Sequence, residues 1–362
     1  MSVPEPLLVV RELTVTFRQR HPEPALRAVD SVSFEIPEGK TVALVGESGS
    51  GKSTIGNAIL GLVPIRSGSV VFRGHEAANA TRVDRGFLSK HVQVIFQDPY
   101  GSLNPARTIG QILVEPLMVH RKMSRSDMKS AVAEMLTGVG LEAGAAQRYP
   151  ANFSGGQRQR IAVARAMIIA PDLVICDEPV SSLDLSVQAQ ILNLLSDLQR
   201  AHGLSYLFIS HDIAVVRHVA DRVVVLYRGQ VVEAGSVREV SGSPRHPYTR
   251  ALIAAAPVPD PGVQRARGVA RRHAVVEREV PDARPNREAC AFAPRCPYVV
   301  DRCRREKPNL RVGSSGALVA CHLEEQLPEV AVLFGRPRDG GNAFDQDPES
   351  GDGQLVRPSG PR

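Results

Sequence analysis

The chain has 362 residues, 43% of them hydrophobic, which is enough for about two buried cores and excludes a disordered or fibrous class. Its formal charge of +6, 44 Lys and Arg against 38 Asp and Glu, is a mild excess spread along the chain, so it reads as a solvated face and no nucleic-acid partner is expected. No apolar run reaches the roughly 18 residues of a membrane span, since Ile161 to Val180 is broken by Arg165, Asp172, Asp177 and Glu178. The start MSVPEPLLVV lacks a charged signal-peptide pattern, so the chain is expected to stay in the cytoplasm, where its five cysteines are thiols or metal ligands.

Residues 7–17 and 28–36 alternate as strands, with a Pro-containing link between them, and predict a small antiparallel sheet. Phe17 ends the first strand, where its ring suits either a flat base or ordinary packing. Beyond the turn Pro37-Glu38-Gly39-Lys40, the apolar run Thr41–Val45 leads into Gly46-Glu47-Ser48-Gly49-Ser50-Gly51-Lys52-Ser53-Thr54 and then into a helix from Ile55. A buried strand, a glycine turn and a helix start bring backbone N–H groups and a positive dipole end onto one point, which is an anion site. At the spacing G-x-x-x-x-G-K-[ST], Lys52 serves β/γ-phosphates and the Ser53 hydroxyl serves magnesium.

Gly68–Gly74 reads as hairpin-like, and His91–Phe96 as a strand ending in Gln97, a polar group placed to contact a metal ion or a water. Residues 106 to about 170 are helix-rich, with helices expected over Ile109–His120, Ser126–Gly138 and Gly156–Ile169. Within them Ser154 is an expected N-cap, and Gly155 and Gly156 let the backbone approach a ligand, which makes a second anion site. One chain has a single phosphate loop, so this second site suggests a nucleotide shared between two protomers. The strand Asp172–Cys176 delivers Asp177 and Glu178 together, an arrangement in which one acid holds magnesium and the other polarises water. Cys176, in its apolar part, reads as an inert buried thiol. The loop Ser181–Asp184 and a helix over Val187–Gln199 precede the strand Leu204–Ile209, which ends near His211, and a terminal hairpin spans 222–234.

In this order the phosphate loop, Gln97, Ser154-Gly155-Gly156-Gln157, Asp177-Glu178, Asp184 and His211 resemble the ATP-binding subunits of ABC transporters over about residues 5–255. The resemblance implies an α/β fold: a P-loop NTPase (RecA-like) core with an antiparallel β-subdomain, a helical subdomain inserted at about 98–165, and a small Cys-containing C-terminal extension. It implies ATP and Mg²⁺, with two ATPase subunits clamping two ATP molecules head to tail, each phosphate loop facing the partner's signature. Nucleotide contacts then fall to Phe17, Gly46, Ser48, Gly49, Ser50, Gly51, Lys52, Ser53, Thr54, Ser154, Gly155, Gly156, Gln157 and Asp184. Magnesium falls to Ser53, Gln97 and Asp177, and catalysis to Glu178 as base, His211 as γ-phosphate sensor, Gln97 and Lys52. Phe153 stands where the family more often has Leu.

Phe96–Pro105, with its Tyr100-Gly101, is similar to the second of the two paired ATPases of dipeptide and oligopeptide importers, as are His246–Leu252 and Pro257–Pro261. That resemblance implies a peripheral protein on the cytoplasmic face of the cell membrane. Its implied partners are a sibling ATPase or a second copy, two transmembrane permeases and an extracytoplasmic peptide-binding protein. Nickel importers share much of the extension, so nickel or another small solute is the alternative cargo, and a non-transport soluble ABC ATPase is the more distant one. The extension is expected at 256–328, with a linker-like stretch over Val263–Glu288 and a disordered tail at 329–362. Cys290, Cys296, Cys303 and Cys321 have spacing compatible with a four-thiolate site, and nearby Arg295, Arg302, Arg304 and Arg305 would offset its charge. The resemblance implies a [4Fe-4S] cluster on these cysteines, with Zn²⁺ as the alternative.

Overall fold

Two sheets organise the chain in the computed structural model, which describes residues 5–18, 25–77, 80–256 and 287–327. The smaller is antiparallel, in the order β2-β1-β4-β5, from β1 (Leu8–Phe17), β2 (Leu26–Ile36), β4 (Ser67–Phe72) and β5 (His75–Glu76). Strict alternation drives β2: Val32, Phe34 and Ile36 are buried, while Ser31, Ser33 and Glu35 face solvent.

The larger sheet has the order β11-β12-β10-β9-β3-β8-β7-β6, in which β10 is Gln230–Ser236, β11 Arg311–Val312 and β12 Leu318–Val319. Its parallel centre comprises β3 (Thr41–Val45), β6 (Val92–Ile95), β7 (Leu173–Asp177), β8 (Ser205–Ser210) and β9 (Arg222–Tyr227). Every residue of β3 and β8 is buried, as expected for strands covered on both faces. Because β6, β7 and β8 run parallel, their C-terminal ends lie at one edge, which fixes where the site forms.

Helices cover both faces. α1 (Lys52–Ile59) lies between the sheets in one core with Leu8, Ile36, Phe72 and Ile209. α2 (Arg82–His91) was not expected from the sequence; its start is fixed by a capping box in which Thr81 and Asp84 exchange hydrogen bonds. Between β6 and β7 come α3 (Pro99–Ser102), α4 (Ile109–His120), α5 (Arg125–Gly138) and α6 (Gly155–Met167). These helices and α7 (Leu185–His202) form a second core around Leu113, Leu136, Ile161 and Ile191. α8 (Ile213–Val219), α9 (Val237–Gly242) and α10 (Pro247–Ala255) follow. None of the described helices is long and apolar enough to cross a membrane.

The C-terminal residues 287–327 form a small lobe joined to the large sheet. β11 (Arg311–Val312) and β12 (Leu318–Val319) extend the large sheet beyond β10 (Gln230–Ser236), with Glu233 opposite Val319 and Ala234 opposite Leu318. A short helix, α11 (Asp301–Arg305), carries Cys303. The Pro257–Pro261 segment, the expected linker 263–288 up to residue 286, and the whole expected tail 329–362 lie outside the described residues.

Glu233 fastens this junction. It is fully buried, and its carboxylate accepts hydrogen bonds from the backbone N–H groups of Arg245 (2.9 Å) and His246 (3.0 Å). Burial pushes its carboxyl up to about 7 from an ordinary 4.5, so the folded chain holds this proton more tightly than the unfolded chain does. Its contribution is complete below about pH 4.5 and is lost as pH rises through about 7. Glu233→Gln should therefore flatten the fall in melting temperature across this window, and parallel curves for the two chains would contradict the assignment.

Candidate functional site

The phosphate loop runs from buried β3 to the start of α1, and its glycines answer specific crowding. A Cβ on Gly46 would lie 2.2 Å from the Leu226 carbonyl oxygen, and one on Gly51, at φ 102°, would lie 2.5 Å from that of Ala28. Backbone atoms cannot step aside, so neither position admits a side chain. The loop is stitched by Ser50 N–H to the Glu47 carbonyl (3.1 Å) and by Gly229 N–H to the Ser50 carbonyl (2.9 Å). Lys52 is 4% exposed, and its ammonium donates to the carbonyls of Gly46 (2.8 Å) and Glu47 (2.9 Å). Burial pushes the Lys52 pKa down, against the opposing pull of the Glu178, Asp177 and Glu47 carboxylates. The Ser50 hydroxyl is buried in the same loop, without a hydrogen-bond partner among the described residues. A desolvated cation and an unpartnered hydroxyl beside a helix N-terminus fit a multiply charged phosphate.

At the neighbouring strand end the Ser53 hydroxyl donates to Asp177 Oδ1 at 2.9 Å. Burial raises the Asp177 carboxyl, while the Ser53 bond and Lys52 counter it and Glu178 adds to it. Two hard oxygen groups side by side suit Mg²⁺, which keeps waters and binds few protein ligands. Among the described residues no three His, Cys, Asp or Glu side chains are grouped to hold a metal ion by themselves.

Glu178 turns out of β7 at φ 48°, a left-handed conformation that costs a non-glycine residue about 1–3 kcal/mol. Its N–H donates to the Ile209 carbonyl (3.0 Å) on the next strand, which holds the turn. The turn aims its Oε2 at two groups: Gln97 Nε2 donates to it at 3.1 Å, and His211 Nδ1 lies 3.2 Å away. Three residues from the ends of β6, β7 and β8 thus meet on one oxygen. A cavity of about 60 Å³ beside Glu178 and His211 has room for water. Gln97 directs its amide nitrogen to Glu178 and to the Ser181 hydroxyl (3.4 Å).

Ser154 is the N-cap of α6: its hydroxyl accepts from Gln157 N–H (3.3 Å), and Gln157 Oε1 accepts from Ser154 N–H (3.0 Å). Gly156 also answers a packing demand. A Cβ there would sit 2.5 Å from Val187 Cγ1, so its bareness lets α6 seat against α7. Asp184 caps α7, its Oδ1 accepting from Val187 N–H (3.0 Å) and from the Ser186 hydroxyl (2.7 Å). The signature and Asp184 are therefore one packed unit joined through Val187. No hydrogen bond links Ser154 or Gln157 to the phosphate loop among the described residues. Phe17, 38% exposed at the end of β1, leaves its ring open, and Ser48, Gly49 and Ser53 face solvent.

The four late cysteines line one small cavity of about 10 Å³ with His246, Phe292 and His322. Burial pushes the Cys296 thiol up to about 12 and Cys321 up to about 11, and it raises Cys290 as well. The space equals roughly one water, so the thiols are closely packed, and among the described residues no three of them are grouped to hold a metal ion. Two of the arginines expected to offset their charge have carboxylate partners. Arg295 reaches out of this lobe to Glu47 of the phosphate loop, and Arg302 pairs with Glu306. Tyr248, which the sequence had marked only inside a C-terminal pattern, accepts a hydrogen bond from Glu47 N–H at 2.8 Å. Cys176 is fully buried, and burial raises its thiol.

Comparison with known proteins bears on this geometry. The ABC transporter family matches residues 29–181, and the oligopeptide/dipeptide transporter C-terminal region matches residues 232–303. The dipeptide transport ATP-binding protein DppF of Haemophilus influenzae is 44% identical over 296 residues, 82% of this chain and 89% of its own. The oligopeptide transport ATP-binding protein OppF of Escherichia coli is 45% identical over 323 residues, 87% of this chain and 95% of its own. A dimeric ATP-binding cassette solved in a post-hydrolysis state with ADP and Pi superposes with a TM-score of 0.58. It is 29% identical, over 64% of this chain and 99% of that one.

The seat of α6 on α7 yields a direct test. Gly156→Ala should destabilise the chain by about 1–3 kcal/mol through overpacking. Adding Val187→Ala should raise the melting temperature above that of Gly156→Ala alone, and no recovery would contradict the contact as the cause.

Proposed function

The chain belongs to the ABC transporter ATP-binding proteins, in the branch that carries the oligopeptide/dipeptide C-terminal region, and from that premise we propose that it hydrolyses ATP to energise uptake of short peptides. The single observation that carries the reading is the convergence of Gln97 and His211 on one oxygen of Glu178, beside the Lys52, Ser53 and Asp177 group. ATP is the substrate of this site. The backbone N–H groups of the phosphate loop, the Ser48, Ser50 and Thr54 hydroxyls and the Lys52 ammonium bind its phosphates, and Phe17 offers a face to adenine. Bound Mg²⁺ supplies charge neutralisation at the phosphates, and Ser53 and Asp177 would hold it.

Glu178 accepts the proton of the attacking water, oriented by its left-handed backbone and by Gln97. His211, within reach of Glu178, holds the γ-phosphate. Ser154 through Gln157 and Asp184 serve the nucleotide of a neighbouring ATPase, since the capped start of α6 is open to solvent at Ser154. Closure of two chains on ATP moves the membrane subunits because ATP favours the closed pair over the open one. A largely apolar cavity of about 390 Å³ is lined by Leu60, Leu62, Leu88, Val94 and Phe96, the last of which precedes Gln97 in the chain. It supports placing the permease contact on this face. The assembly proposed is this chain, a sibling ATPase, two permeases and an extracytoplasmic peptide-binding protein, with the chain peripheral on the cytoplasmic face of the membrane.

The finer reading of the C-terminal lobe is a [4Fe-4S] cluster on Cys290, Cys296, Cys303 and Cys321, with Zn²⁺ as the alternative. Four thiols facing one cavity support it, and their tight packing opposes it. Metal analysis of anaerobically purified protein decides: stoichiometric iron with visible absorbance, both lost in Cys296→Ser, is the expected outcome. Zinc in its place selects the alternative, and a metal-free protein overturns both.

Glu178→Gln should keep ATP binding, trap a closed pair of chains and lower turnover by at least about 10²-fold. Undiminished turnover would remove Glu178 as the base.

A further inference from the structure

All three polar groups of Glu47 are held, each by different residues. Its N–H donates to the Tyr248 hydroxyl (2.8 Å), its carbonyl accepts from Lys52 (2.9 Å) as well as from Ser50 N–H (3.1 Å), and its carboxylate takes both terminal nitrogens of Arg295 (2.8 and 2.9 Å). Tyr248 and Arg295 come from the C-terminal part of the chain, about 200 and 250 positions away. The guanidinium also lies 5.8 Å from the ring centres of Tyr227 and Phe292. Those two rings meet edge to face at 5.2 Å, and Phe292 lies 5.5 Å from Tyr248. The fork is therefore oriented before it meets the carboxylate, and little rotamer freedom remains to be lost.

This arrangement bears on the anion site. Glu47 is the only acid in the stretch from Gly46 to Thr54, and its charge acts on Lys52. An unpaired carboxylate there would oppose a triphosphate and leave the turn before Lys52 less fixed. We propose that Arg295 is a positioning residue for the nucleotide site: by neutralising Glu47 and holding its turn in place, it makes ATP affinity depend on the C-terminal lobe. The inference rests on the ATPase reading above and adds to it that the thiol-bearing lobe acts on the phosphate loop. The pair is partly solvated, with side chains 31% and 46% exposed, so the effect is a few-fold change in affinity and not a loss of function.

The test uses the full chain and the dissociation constant for Mg-ATP, with steady-state turnover alongside. Arg295→Met should weaken ATP binding about 3–10-fold, with the loss falling on KM far more than on kcat. Arg295→Lys, which keeps the charge without the fork, should lose less. The deciding variant is Arg295→Met/Glu47→Gln: with the carboxylate gone as well, affinity should return most of the way to that of the unsubstituted chain. AMP, with one phosphate, should be affected less than ATP. Unchanged affinity in Arg295→Met overturns the proposal. So does a double variant as weak as the single one, because Arg295 would then only support the folding of its lobe. An unsubstituted chain that binds no ATP overturns this proposal and the ATPase reading together, which separates the two failures.

Discussion

The ammonium of Lys52 is the constraint on which the rest of the site depends. It is almost wholly buried, and its acceptors are two carbonyls of its own loop, at Gly46 and Glu47. Removing a cation from water is costly unless charge is supplied nearby, and three carboxylates lie close enough to act on it without bonding to it. Such a cage favours an anion that brings its own negative charge, and ATP does so. The glycines at 46 and 51 follow from the same demand, because the loop can wrap the lysine only where backbone oxygens of Leu226 and Ala28 leave no room for a side chain.

From this point the architecture distributes the remaining tasks. The parallel order of β6, β7 and β8 brings Gln97, Glu178 and His211 to one edge, and the left-handed turn at Glu178 brings them onto one oxygen. The strain of that turn is offset by a backbone bond to Ile209, so the carboxylate is aimed by the sheet itself. The signature at Ser154 and the cap at Asp184 form a separate unit, locked through Val187 and hydrogen-bonded within itself. In the proposed ATPase, two such units face each other across the nucleotide.

Much of the site was legible in the sequence because its chemistry demands fixed residue types at fixed spacing. The phosphate loop, Gln97, the acid pair and His211 each sit at a strand end, and short apolar runs reveal strand ends well. The helices α4, α5 and α6 and the last hairpin also emerged from periodicity and capping residues. What escaped has physical reasons. β11 and β12 are two residues each, too short for alternation to register, so their attachment to the large sheet could not be read. α2 is mostly charged and gives its signal in the Thr81–Asp84 cap instead of an apolar stripe. The Arg295 to Glu47 pair joins positions too distant for any local pattern, and Arg295 was assigned instead to the nearby cysteines. Gly156 meets Val187 as well, a contact that only the packing of two helices creates and that leaves no local signal in the sequence.

The central claim is that the phosphate loop and the Ser154 signature enclose one nucleotide from two chains. Cysteines placed at Ser48 in one molecule and at Ser154, or the matching signature position, in its ATPase partner should crosslink when ATP is bound and hydrolysis is blocked. The crosslink should disappear with ADP. A crosslink that forms equally without nucleotide, or never forms with ATP, would contradict the account.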